Sequence, residues 1–170
     1  MMSEARYTRE QISNLAADVL EFYSNRQYPV KVLSITHNLD LQVFKTTFSR
    51  DGVSGMLKAQ EAKIYVAESD GIRRQRFSIA HEIGHYILHY KGNIFAEKEE
   101  KKHISYRNNL SSMGFSIKEI EAIFFAANLL MPQDRVKELY EQRFSLYEIA
   151  DFFQVSYTAM AHRFDFLGYD

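Results

Sequence analysis

The sequence predicts an α+β domain: a small antiparallel sheet packed on a zincin-like active-site helix, mostly helical elsewhere, with a helix-turn-helix-like segment at the C-terminal end. Three observations point there. Apolar residues recur at helical spacing over several long segments. Short runs of strand-forming residues precede the most distinctive of these helices. Only two prolines and seven glycines interrupt 170 residues, so most of the chain should be regular structure. A chain of this length buries roughly 70% of its unfolded surface, enough for one substantial core.

In chain order, Thr8 with Gln11 forms a capping box, and Ile12, Leu15, Ala16, Val19, Leu20 and Tyr23 then mark a helix to about Ser24. Val30, Leu33 and Ile35 indicate a short second helix after Pro29, and 41–44 reads as a strand. Two further strands, 52–57 and 63–67, share a tight connection. From Asp70 the period becomes 3.6, and Ile79, Ile83, Tyr86, Ile87 and Tyr90 give a helix apolar along one face, ending near Gly92. The mixed charges of 97–103 suit a solvated, mobile connection. Ser116 with Glu119 is a second capping box, opening a helix that Pro132 closes, and Ser145 with Glu148 is a third, opening 146–153. Ser156 caps a last helix to Phe166. The expected division is a zincin-like unit, 1–132, and a C-terminal helical segment, 133–170, packed on it.

Composition excludes several classes of function. Without cysteine the chain has no disulfides, zinc-thiolate fingers or cysteine nucleophile, so a tightly held transition metal must rest on His and carboxylates. A net charge of -1 gives no bulk attraction to nucleic acid or an anionic membrane. The first ten residues carry Glu4, Arg6, Arg9 and Glu10 and do not resemble a signal peptide, and no apolar run approaches the ~18 residues of a membrane span. A cytoplasmic protein is expected.

Residues 81–85, His-Glu-Ile-Gly-His, have the H-E-x-x-H form. Histidines four apart share one helix face and can reach one ion, while Glu82, offset around the helix, can act as general base towards water. Catalytic zinc usually takes a third protein ligand. His89 continues the ladder, but on a continuous helix it would stand ~12 Å from His81 along the axis. It is expected instead as an outer donor or a helix C-terminal cation. Glu121 is the better third ligand. Ile117, Ile120, Phe124, Ala127 and Leu130 read as a buried face around it, where a carboxylate must be paired or metal-bound. Glu119 is accounted for by the capping box.

The blocks 76–89, RFSIAHEIGHYILH, and 121–132, EAIFFAANLLMP, resemble the ImmA/IrrE family of metallopeptidases, whose patterns are R-F-T-I-A-H-E-L-G-H-x-x-L-H and E-A-N-x-F-A-A-x-L-L-M-P. The resemblance covers most of the chain from about Leu41. It implies one zinc per chain on His81, His85 and Glu121, with Glu82 catalytic. It also implies a protein substrate, typically a helix-turn-helix repressor whose cleavage relieves repression. One departure is Ile123, where the family usually has Asn; that puts the orientation of the ligands in doubt more than metal binding. A second electrophile is expected, with His103, Tyr106 and Arg107 as candidates. The expected docking edge for substrate is the strand Lys63, Ile64, Tyr65, Val66 and Ala67.

The tail, 146–168, has helix-turn-helix patterning, with Ala150, Val155 and Ala159 at packing positions. Its second helix offers only His162 and Arg163 as cations, beside Asp165. Packing or substrate docking is therefore expected there rather than DNA binding. The competing reading is a DNA- or partner-binding regulator, such as a toxin-antitoxin component, with a structural zinc site.

Overall fold

A computed structural model describes residues 7–91, 102–106 (backbone only) and 116–170. Helix α1, Arg9–Ser24, begins at the predicted capping box, with both reciprocal Thr8–Gln11 bonds formed. It ends at Asn25 in the left-handed conformation, which Asn tolerates better than most residues. Helix α2, Val32–Asn38, follows. Strands β1, Gln42–Thr46, β2, Val53–Lys58, and β3, Lys63–Ala67, lead into α3, Ile72–His85. A π-helical turn, Tyr86–Tyr90, continues α3. Beyond it lie β4, Lys102–Tyr106, α4, Ile117–Leu130, α5, Gln133–Glu141, α6, Leu146–Phe153, and α7, Tyr157–Leu167.

The sheet is mixed, in the order β1-β3-β2-β4. The antiparallel β2–β3 pair is the one predicted, and β1 adds to β3 in parallel. This corrects one expectation: β3, residues Lys63, Ile64, Tyr65, Val66 and Ala67, is an inner strand whose two edges are both occupied. Sequence period places residues on faces of a sheet but carries no information about which strand becomes its neighbour. The charge run 97–103 is also not wholly connection, since Lys102 and His103 open β4, antiparallel to β2. Gly92, Arg107 and the rest of that run lie outside the described residues.

Helix α3 lies across the sheet and packs against α4, which in turn packs on α1. One apolar cluster joins all these layers, from Ile12 and Leu20 through Leu57, Ile83 and Phe125 to Phe153 and Met160. It runs across the expected boundary at 132, with Leu129 on one side and Val136 on the other.

Three arginines, of which Arg163 is buried, reinforce that continuity. Arg73 pairs with Asp151 at 2.6 Å and donates to Val155 O at 2.9 Å. Arg76 donates to Val30 O, Phe153 O and Gln154 O, and burial pulls its guanidinium below the usual arginine range. Arg163 is 3% exposed, and burial lowers its pKa to about 10. Its guanidinium donates to Met131 O at 3.0 Å and to Asn128 Oδ1 at 3.1 Å, placing a cation at the negative end of α4.

Arg163→Ala leaves those two buried acceptors short of donors. At ~1–3 kcal/mol for a buried group left unsatisfied, the variant should unfold at clearly lower denaturant than the parent. Equilibrium unfolding in urea, followed by circular dichroism, checks this.

Candidate metal centre

The site forms where α3 and α4 cross. Gly84 makes the crossing close: a Cβ built there would stand 3.2 Å from Ala122 O, 3.3 Å from Ala122 Cα and 3.1 Å from the Phe125 ring. Two of those three neighbours are backbone atoms, which cannot swing aside. The backbone that Gly84 admits is α4's.

On α3, His81 and His85 are buried one turn apart, with their Nε2 atoms 3.0 Å from each other. Glu119, in the first turn of α4, reaches both: Oε2 is 3.3 Å from His81 Nε2 and Oε1 is 3.2 Å from His85 Nε2. Donor atoms of these three side chains all lie within 4.8 Å of one another. Two nitrogens bound tetrahedrally at about 2.0–2.1 Å are separated by about 3.3 Å. The observed edges, 3.0 to 3.3 Å, match that spacing. Two imidazoles and one carboxylate are also a donor set that zinc accepts. The residues therefore fit a zinc ion.

Glu121, expected as the third ligand, lies outside this group of donor atoms. Its carboxylate turns to His89, with Oε2 at 2.8 Å from His89 Nε2, and its other oxygen accepts from the Tyr7 amide at 3.1 Å. The cause is rotational. The face of α4 that is buried carries Glu121, Ala122, Phe125, Ala126 and Leu129, while Ile120 is 55% exposed, so the face read around Ile117 and Ile120 is turned from the true one. Glu119 had been assigned to a capping box, and only half of that box exists. Ser116 Oγ accepts from the Glu119 amide at 3.3 Å, but the Glu119 carboxylate goes to the histidines.

His89 stands behind His85, its Nδ1 2.9 Å from His85 Nδ1. The helix does not continue regularly to His89 as expected. It widens into the π turn at Tyr86, a geometry often found at functional sites. His89 still contacts only the far nitrogen of His85 and remains outside the donor cluster.

Glu82 is fully buried beneath β2. A Cβ at Gly55 would lie 3.1 Å from Glu82 Oε1 and 3.4 Å from Ser78 Cβ, so the bare backbone there makes the room for this carboxylate. Tyr90, read from the sequence as part of an apolar face, is also close. Burial first, and then the charges of Glu82 and Glu119, raise its phenol pKa, keeping a neutral O–H beside the site. His103 and Tyr106 sit on β4 opposite Leu57 and Val53; Arg107 is outside the described residues.

A protein-family model described as the IrrE N-terminal-like domain, a peptidase family, matches residues 36–165. No curated protein matches the chain. The match spans the sheet, α3 and α4 but not α1; Tyr7, two residues before α1, touches Glu121.

Gly84→Ala should destabilise the fold by ~1–3 kcal/mol, the usual cost of overpacking, because the added methyl meets the α4 backbone. Thermal unfolding of the parent and the variant measures it, and an unchanged midpoint would contradict the close crossing.

Proposed function

The chain belongs to the IrrE N-terminal-like peptidase family, and we propose that it is a zinc-dependent, site-specific endopeptidase. The observation that carries this is the cluster of buried His81 and His85 with partly buried Glu119, and the buried Glu82 carboxylate one residue from the first histidine. His81, His85 and Glu119 would hold the metal, and Glu82 would be the catalytic base. Bound there, zinc supplies Lewis acidity, making water nucleophilic near neutral pH and polarising the scissile carbonyl. The chain's residues do the rest. Glu82 takes the proton of the attacking water at its carboxylate and returns it to the departing amine. Tyr90 joins His103, Tyr106 and Arg107 as a candidate donor to the developing oxyanion.

The substrate we infer is a helix-turn-helix repressor, cut in an extended or transiently opened segment. This follows from the family resemblance and from the chemistry of strand addition, which needs an unfolded target. With β3 enclosed, the outer strand beside β2 is β4, and a substrate adding to the sheet near Glu82 would pair with β4.

The tail supports a packing role over DNA binding. Of its two cations, Arg163 is buried against Met131 O and cannot reach phosphate. Asp151, on the first of its two helices, is paired with Arg73. A DNA-binding regulator with a structural zinc site would have no use for a buried carboxylate in the position of Glu82. Among the described residues, no helix is long and apolar enough to cross a membrane.

The chain should bind one zinc. Glu119→Ala and His81→Ala should each abolish stoichiometric binding, as elemental analysis after dialysis would show. Glu82→Gln should keep zinc and fold while losing proteolysis by ~10²-fold or more, the scale of general-base catalysis, in a cleavage assay against repressors encoded beside this chain. Full cleavage by that variant would remove Glu82 from the mechanism.

A further inference from the structure

Behind the metal-binding cluster lies a second buried group of side chains that the hydrolytic step does not use. His89 and Glu121 are each 4% exposed, and His85 is fully buried. Two contacts connect them in line, His85 Nδ1 to His89 Nδ1 at 2.9 Å and His89 Nε2 to Glu121 Oε2 at 2.8 Å, and the Tyr7 amide donates to Glu121 Oε1 at 3.1 Å. The Tyr7 hydroxyl also donates to Leu88 O at 3.0 Å, fastening Tyr7 over the π turn.

Proton counting gives this line a direction. A carboxylate only accepts, so the proton between His89 and Glu121 is on His89 Nε2. A neutral imidazole carries one N–H, so His89 Nδ1 is then an acceptor. The proton between the two histidines must come from His85 Nδ1. His85 is left with a bare lone pair on Nε2, and Nε2 is the atom that faces His81 and Glu119. The opposite order would place a hydrogen on His85 Nε2 and close that position to a metal.

We propose that Glu121 and His89 are positioning residues that lock His85, through this chain, into the one tautomer able to bind zinc. The proposal rests on reading His81, His85 and Glu119 as the metal-binding group. It gives Glu121 a role in metal affinity without making it a ligand. It also makes Tyr7, from a segment more than a hundred residues away in sequence, a support of the same carboxylate.

Two measurements test it. In the zinc-loaded chain labelled with ¹⁵N-histidine, long-range ¹H–¹⁵N correlation should show His89 protonated on Nε2 and His85 on Nδ1. Zinc competition against a chromophoric chelator should then show His89→Ala and Glu121→Ala each still binding one zinc, about 10–100-fold more weakly, the usual range for loss of an outer partner. Glu121→Gln, which keeps one acceptor oxygen for His89, should fall between. The double variant His89→Ala/Glu121→Ala should bind no more weakly than His89→Ala alone, because Glu121 acts only through His89.

Parent-level affinity in both single variants, or a proton on His89 Nδ1, overturns the proposal and leaves the metal centre intact. Loss of stoichiometric zinc in Glu121→Ala with retention in Glu119→Ala overturns it in favour of Glu121 as a ligand. If the parent takes up no zinc, or His81→Ala keeps full affinity, the metal centre itself falls and the proposal with it. The tautomer measurement needs no substitution, so it decides even if a variant misfolds.

Discussion

The site depends on how closely α3 and α4 approach each other. With Gly84 facing the Ala122 backbone, the helices stand near enough for side chains of ordinary length to span the gap. Glu119, three residues before Ala122, meets the histidine pair on one side of the crossing, and Glu121, one residue before it, meets His89 on the other. Two glutamates two positions apart point to different sides of a helix, and the crossing gives each its own imidazole partners. A wider separation would leave both carboxylates buried without enough partners, which is costly. The same approach thus sets the geometry of the cluster and covers the electrostatic cost of its acids.

Much of this was legible in the sequence because capping and periodicity are local. Thr8 with Gln11 and Ser145 with Glu148 form complete reciprocal boxes that open α1 and α6, and the Ser156 cap opens α7. The H-E-x-x-H pairing on α3 was equally plain, since spacing alone puts both histidines on one face. Helix α5 offered less: nine residues with Val136 and Leu139 as its buried contacts make too short a pattern to stand out.

The illegible parts were the long-range ones. Whether Glu119 or Glu121 turns to the histidines depends on the rotation of α4 about its axis. The apolar residues of that helix are too evenly spread to fix it, as exposed Ile120 beside buried Leu129 and Leu130 shows. The Ser116–Glu119 spacing then supplied a plausible local use for Glu119, the glutamate whose carboxylate reaches the histidines. The parallel addition of β1 to β3 was hidden for the same reason, because no residue of either strand records which edge its partner takes. The widening of the helix at Tyr86 has no marker that we can identify in the residues themselves.

Arg76 has a further consequence for how the molecule comes into being. Its guanidinium binds carbonyls at Val30, Phe153 and Gln154, joining residues more than a hundred positions apart on the very helix that carries His81 and His85. Contacts of such separation form late, after the entropy of closing long loops has been met. A chain still emerging from the ribosome can hold the H-E-x-x-H helix and the Val30 carbonyl, but not yet those of Phe153 and Gln154, nor, earlier still, Glu119. The helix that carries His81 and His85 is then seated only after Phe153 and Gln154 have been made, more than sixty residues beyond His85.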